Sequence, residues 1–122
     1  MTSSYTIKIQ TYSCQVTFTV TDQLSTEYKK VCKKFNLKLD QDDDAENEGI
    51  LISPDIDKYY LLIDLNYLSH NTIAHEVYHA TVRITEERDV VDEEAQAWLC
   101  GYLSEAIYKF LIKKQFQIKH GG

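Results

Sequence analysis

The 122-residue chain predicts an α+β fold: one small, mainly antiparallel sheet of about four strands, packed against helices gathered towards the end of the sequence. Three observations carry that expectation. β-Branched and polar residues alternate over residues 5–21, a short apolar run occupies 59–65, and from residue 69 onward apolar positions recur at spacings of three and four. The length suits a single domain over residues 1–122, and 43% hydrophobic with 26% charged residues is an ordinary globular composition.

Taken in order, TIKIQ and QVTFTVT, parted by a polar break from Thr11 to Ser13, predict a hairpin. Residues 23–36 place Leu24, Tyr28, Val31, Cys32 and Phe35 at helical spacing with lysines opposite, so an amphipathic helix follows, with Asp22 or Ser25 as its cap. Residues 40–48, DQDDDAENE, hold six carboxylates in nine positions and no apolar anchor, which reads as a solvated loop. Asp40, Asp42 and Asp44 match positions 1, 3 and 5 of a calcium loop, but Ala45 and Leu51 stand where its glycine and bidentate glutamate belong. Beyond it, ILIS and YYLLIDL flank SPDIDK, predicting a second hairpin whose later strand is apolar enough to be buried on both faces.

Ser69 or Asn71 is placed to cap a helix running to about Ile84, and residues 85–92 read as a loop. Asp92 opens a longer helix on which Trp98, Leu99, Tyr102, Leu103, Ile107, Phe110 and Leu111 recur, ending near Lys113 and Lys114, where cations suit the negative helix pole. The tail from residue 119 to 122 is expected to fray.

Thirteen basic against nineteen acidic residues give a net charge of −6, so no field favours phosphate backbones or anionic membranes, and neither nucleic acid nor membrane is an expected partner. No apolar stretch approaches the ~18 residues a membrane helix needs, and the polar start MTSSYTIKIQTYS lacks the pattern of a secretory signal. Cys14, Cys32 and Cys100 form no CxxC pair and no even disulfide framework, so a cytoplasmic location is expected.

The chemistry is concentrated in His75-Glu76-Val77-Tyr78-His79, an HExxH on the first of the two late helices. Residues four apart on a helix share a face, so His75 and His79 are placed to share a metal ion. Glu76 lies about 100° round from His75, beside the metal and badly placed to ligate it, but able to reach a water there. That division of roles suits a catalytic Zn2+ site, with Glu76 as general base. A third ligand is required. His70 is only five residues before His75 and His120 lies in the tail, while the sequence after His79 has no HExxHxxGxxH continuation. A carboxylate of the next helix remains. Glu94 is preferred because Ala97, Trp98, Gly101 and Glu105 share its stripe, with a small residue allowing the helices to approach; Glu93 is the alternative. Either acid also suits the positive pole of a helix start. For the oxyanion of a tetrahedral intermediate, Tyr67 and His70 are the candidates.

With these residues in place, the chain resembles the zincin metallopeptidases of the gluzincin type, whose ligands are the two HExxH histidines and a glutamate from a downstream helix. The resemblance spans residues 64–108. Its EEAQAWLCGYL looks like the Glu-Ala-x-x-aromatic signature of repressor-cleaving peptidases of mobile elements, and like small phage and prophage proteins. It implies a zincin-like fold with the strand at 59–65 beside the HExxH helix, and zinc-dependent hydrolysis of peptide bonds. Gluzincins often carry an acid or amide four residues after the ligand glutamate; here that position is Trp98, so the outer support of the metal is expected from Asp64 or a backbone carbonyl. Peptide deformylase also uses HExxH, but Cys32 in VCKKF lacks the context of its cysteine ligand. The other reading is a phage or mobile-element protein-binding module on the same scaffold, with structural zinc and no hydrolysis.

Overall fold

A computed structural model describes residues 1–38 and 48–120. Its elements are Thr2–Ile9 (β1), Cys14–Thr21 (β2), Leu24–Lys34 (α1), Gly49–Asp55 (β3), Lys58–Asp64 (β4), His70–Glu86 (α2) and Glu93–Lys113 (α3), with 3-10 turns at Gln10–Tyr12 and Leu65–Tyr67. The architecture is α+β, as the residue pattern predicts. The acidic positions Asp40, Asp42 and Asp44, and most of the loop expected around them, lie outside the described residues.

The four strands form one sheet in the order β1-β2-β4-β3. Its two outer pairs are antiparallel, but the central pair, β2 with β4, is parallel, so the sheet is mixed. The reason is connectivity: the chain passes through α1 between the two hairpins, which lets β4, rather than β3, dock on β2. β4 is buried on both faces, as its composition requires. Tyr59, Leu61 and Ile63 enter the main core with Phe18, Val77, Leu99 and Leu103. Leu62, one residue out of phase, packs with Leu24, Tyr28, Cys32 and Ile52 beneath α1. The sheet is thus sandwiched between α1 on one face and the α2–α3 pair on the other.

Local chemistry explains where the elements begin. α1 starts after Gln23 without a side-chain cap, not after Asp22 or at Ser25: the Asp22 carboxylate is taken by the Met1 ammonium at 2.7 Å, and the Thr21 hydroxyl accepts the Gln23 N–H at 3.0 Å. β3 extends through Pro54 to Asp55, leaving only Ile56 and Asp57 as the turn. Proline is tolerated there because β3 is an edge strand and its ladder is irregular between Ile52 and Asp55. Ser69 caps α2, its hydroxyl accepting the Thr72 N–H at 3.0 Å, and Asp92 caps α3 through the Glu94 N–H at 3.3 Å. Lys119 does not fray: its N–H reaches Leu68 O at 3.0 Å and its carbonyl accepts the His70 N–H at 3.1 Å, tying the chain end to the start of α2.

α2 and α3 run antiparallel. His70 Nδ1 meets the Tyr108 hydroxyl at 2.7 Å at one end, and Gln96 Nε2 donates to Thr85 Oγ1 at 3.2 Å at the other. Between these polar ends the contact is apolar, and Leu103 is fully buried there. Leu103→Ala is expected to cost about 2–5 kcal/mol through lost burial and the cavity left behind, read as a lowered midpoint in urea unfolding.

Candidate metal centre

The structure brings His75, Glu76 and His79 together. The two imidazoles converge on the surface of α2 with their Nε2 atoms 3.1 Å apart and their rings nearly perpendicular. Two imidazole nitrogens at ~2.0–2.1 Å from a tetrahedral zinc stand roughly 3.3 Å apart, so the spacing suits a shared ion. The His75 side chain is largely exposed, whereas Glu76 points into the protein and is 7% exposed, its Oε1 lying 4.0 Å from His75 Nε2. One helical step separates the outward imidazole of His75 from the inward carboxylate of Glu76.

Burial pushes the Glu76 carboxyl above the ordinary glutamate range. The charges of His75 and His79 oppose that shift and the charge of Glu48 adds to it. The inward pocket exists because β3 begins with glycine. A Cβ placed on Gly49 would lie 2.8 Å from Glu76 Cγ, 2.9 Å from its Cδ and 3.1 Å from the Leu62 carbonyl. No other residue lets the strand approach Glu76 so closely without moving it.

Glu94 does not join the imidazoles. Among the described residues no group of three or more histidine, cysteine or acidic side chains is gathered to hold a metal ion. Glu93 and Glu94 are both exposed on the first turn of α3. Two geometric facts keep them apart from the motif. At about 100° per residue, Thr81 and Thr85, on the flank facing α3, lie about 120° round α2 from the mean direction of His75 and His79. The first turn of α3 also lies near Thr85, six residues beyond His79, or about 9 Å along the axis at ~1.5 Å per residue. The expected stripe is also turned the wrong way: Ala97, Trp98, Gly101 and Glu105 are exposed with Glu94, a Cβ on Gly101 would meet nothing within 4 Å, and the face of α3 that packs inward is that of Leu99, Leu103 and Ile107.

The opposite flank of α2 is occupied by the start of β3. Thr72 Oγ1 donates to Glu48 Oε2 at 3.1 Å, Gly49 abuts Glu76, and further along Ser53 Oγ reaches Glu87 at 3.4 Å. β3 therefore runs beside α2 in the same direction. Thr72 lies about 40° and Glu76 about 80° from the mean imidazole direction. Sequence reasoning missed Glu48, Gly49 and Thr72. The glycine heading ILIS is the one local signal that pointed there, because a glycine inside a strand marks a close approach.

The remaining candidates separate. His70 is committed to the α3 side, stacked on Tyr108 and packed against His120. Tyr67 is exposed and lines, with Glu48, Asn66, Ser69, Thr72 and Lys119, a cavity of about 270 Å³ at the start of α2. Asp64 caps the following 3-10 turn by accepting the Asn66 N–H at 2.9 Å and orients neither histidine. Cys32 is buried under α1 on the other face of the sheet, and Cys14, Cys32 and Cys100 are all free thiols. No protein-family model, curated protein or solved structure matches the chain.

Proposed function

We propose that the chain is a zinc-dependent metallopeptidase of zincin type, with His75 and His79 as metal ligands and Glu76 as general base. The observation that carries this reading is the pair of convergent exposed imidazoles beside a buried carboxylate on consecutive turns of one helix. The donor set suits zinc at two positions and needs one more protein ligand; Glu94, the sequence-based choice, stands on the exposed face of α3 and would require that helix both to turn and to shift along α2. Bound zinc supplies a Lewis acid and a water acidic enough to react at neutral pH. Glu76 Oε1 takes the proton of the attacking water and returns it to the leaving amine nitrogen. Burial suits that exchange, since a carboxyl held above its usual range keeps an acquired proton more readily. The outer edge of β3, with no strand beside it among the described residues, offers backbone groups to an extended peptide. Among the described residues no helix is long and apolar enough to cross a membrane. A reducing cytoplasm suits the three free thiols.

Purified protein should bind about one zinc per chain and cleave unfolded protein substrates in a chelator-sensitive way; a preparation that refuses added zinc sinks the proposal. Gly49→Ala gives a sharper readout. Glu76 is the most movable of the groups around the new methyl, so zinc affinity should stay within about threefold of wild type while kcat falls 10- to 100-fold, the general base having moved. Steady-state kinetics alongside a zinc competition titration would separate the two effects.

The alternative, a phage or mobile-element protein-binding module with structural zinc, is favoured by a different observation. Trp98 and Tyr102 stack with centroids 5.2 Å apart on α3 while remaining 47% and 38% exposed, a combination common at protein interfaces. A binder of this kind tolerates Glu76→Gln without loss of its biological effect.

A further inference from the structure

Resting on the zinc reading above, we propose that the third protein ligand is Glu48, reached from the start of β3 rather than from α3. The flank of α2 nearest the imidazoles is the one β3 occupies, and Glu48 is the described acid at the head of that strand. Its neighbour Gly49 is in contact with Glu76, which ties the backbone at this point to the motif. The Glu48 carbonyl is fixed as well, accepting the Asp64 N–H at 2.9 Å.

The side chain is held as a ligand carboxylate is usually held, by a hydrogen bond from behind. Ser69 Oγ donates to Thr72 Oγ1 at 3.0 Å, and Thr72 Oγ1 donates onward to Glu48 Oε2 at 3.1 Å. Both hydroxyl residues are buried, at 3% exposure each, so the relay sits on a rigid helix start. It engages Oε2 and leaves Oε1 as the oxygen for the metal. Histidine side chains on a helix lean towards its N-terminus, which is where Thr72 and Glu48 lie. Glu48 is exposed and, in this conformation, is not gathered with the imidazoles, so the proposed closure is a turn of its side chain that keeps Oε2 on Thr72, without movement of a helix. For Glu94, on the exposed face of α3, the same closure would require that helix to turn as well as slide.

Zinc affinity, measured on the full chain by competition with a chromophoric chelator, tests this directly. Glu48→Gln keeps an acceptor for Thr72 and removes the charged ligand; it should weaken zinc binding more than about 100-fold, beyond the 10- to 100-fold typical of outer-shell changes. Glu93→Gln and Glu94→Gln should stay within about threefold of wild type. Thr72→Val, which removes the hydrogen bond but not the carboxylate, should lose no more than about tenfold, with circular dichroism confirming that every variant is folded. The assignment is overturned if Glu48→Gln binds zinc as wild type does, if Glu94→Gln shows the large loss instead, or if Thr72→Val loses as much as Glu48→Gln. Wild-type protein that binds no zinc at all would overturn the metallopeptidase reading itself.

Discussion

Glu76→Gln should retain zinc within about threefold of wild type and lower kcat/KM by about 10²–10⁴-fold, the range that general base catalysis supplies. The substitution is nearly isosteric, and it leaves both imidazoles in place because Glu76 faces inward and they face out. It removes the buried carboxylate that takes the proton in the proposed reaction. A loss in kcat/KM with metal content unchanged is the signature of an interaction made only as the reaction proceeds. Full activity in the variant would remove Glu76 from the mechanism.

The same variant has a stability consequence of opposite sign. Burial raises the Glu76 carboxyl above its value in the unfolded chain, so the folded state binds its proton more tightly. Stability therefore declines as pH rises from the ordinary carboxylate range through the elevated folded value, and stays lower above it. Glutamine carries no such penalty. Metal-free Glu76→Gln should melt above metal-free wild type at neutral pH, and the difference should vanish below the ordinary glutamate range. Paired thermal melts at pH 4 and pH 7.5 would show it, and equal melting temperatures at neutral pH would contradict the burial argument.

Zinc binding should be abolished at micromolar metal in His79→Ala, since only one imidazole and whatever carboxylate completes the site would remain. Both histidines are surface residues on a helix whose core contacts are made by Ile73, Val77, Ala80 and Ile84, so alanine should leave the fold intact. Loss of metal without loss of helicity separates a ligand from a structural residue. Retention of stoichiometric zinc by His79→Ala would place the metal elsewhere.

The sequence by itself determined the local structure and the inner half of the site. HExxH on an amphipathic helix sets His75 and His79 on one face and Glu76 a step round from it, whatever the rest of the chain does, because helical geometry is fixed at about 100° per residue. The strands, the caps Ser69 and Asp92, and the double burial at Tyr59, Leu61, Leu62 and Ile63 follow from equally local rules of alternation and capping. What only the tertiary structure decided is what stands beside that helix. Register between α2 and α3 depends on how Leu99, Leu103 and Ile107 interlock with Val77 and Ile84, and no periodicity within one helix encodes its slide along another. The parallel pairing of β2 with β4 brought β3 to the open edge and laid it along α2, so Gly49 and Glu48, nearly thirty residues from the motif, became its neighbours. Such contacts arise from packing between distant segments, where burial and steric fit choose the partner.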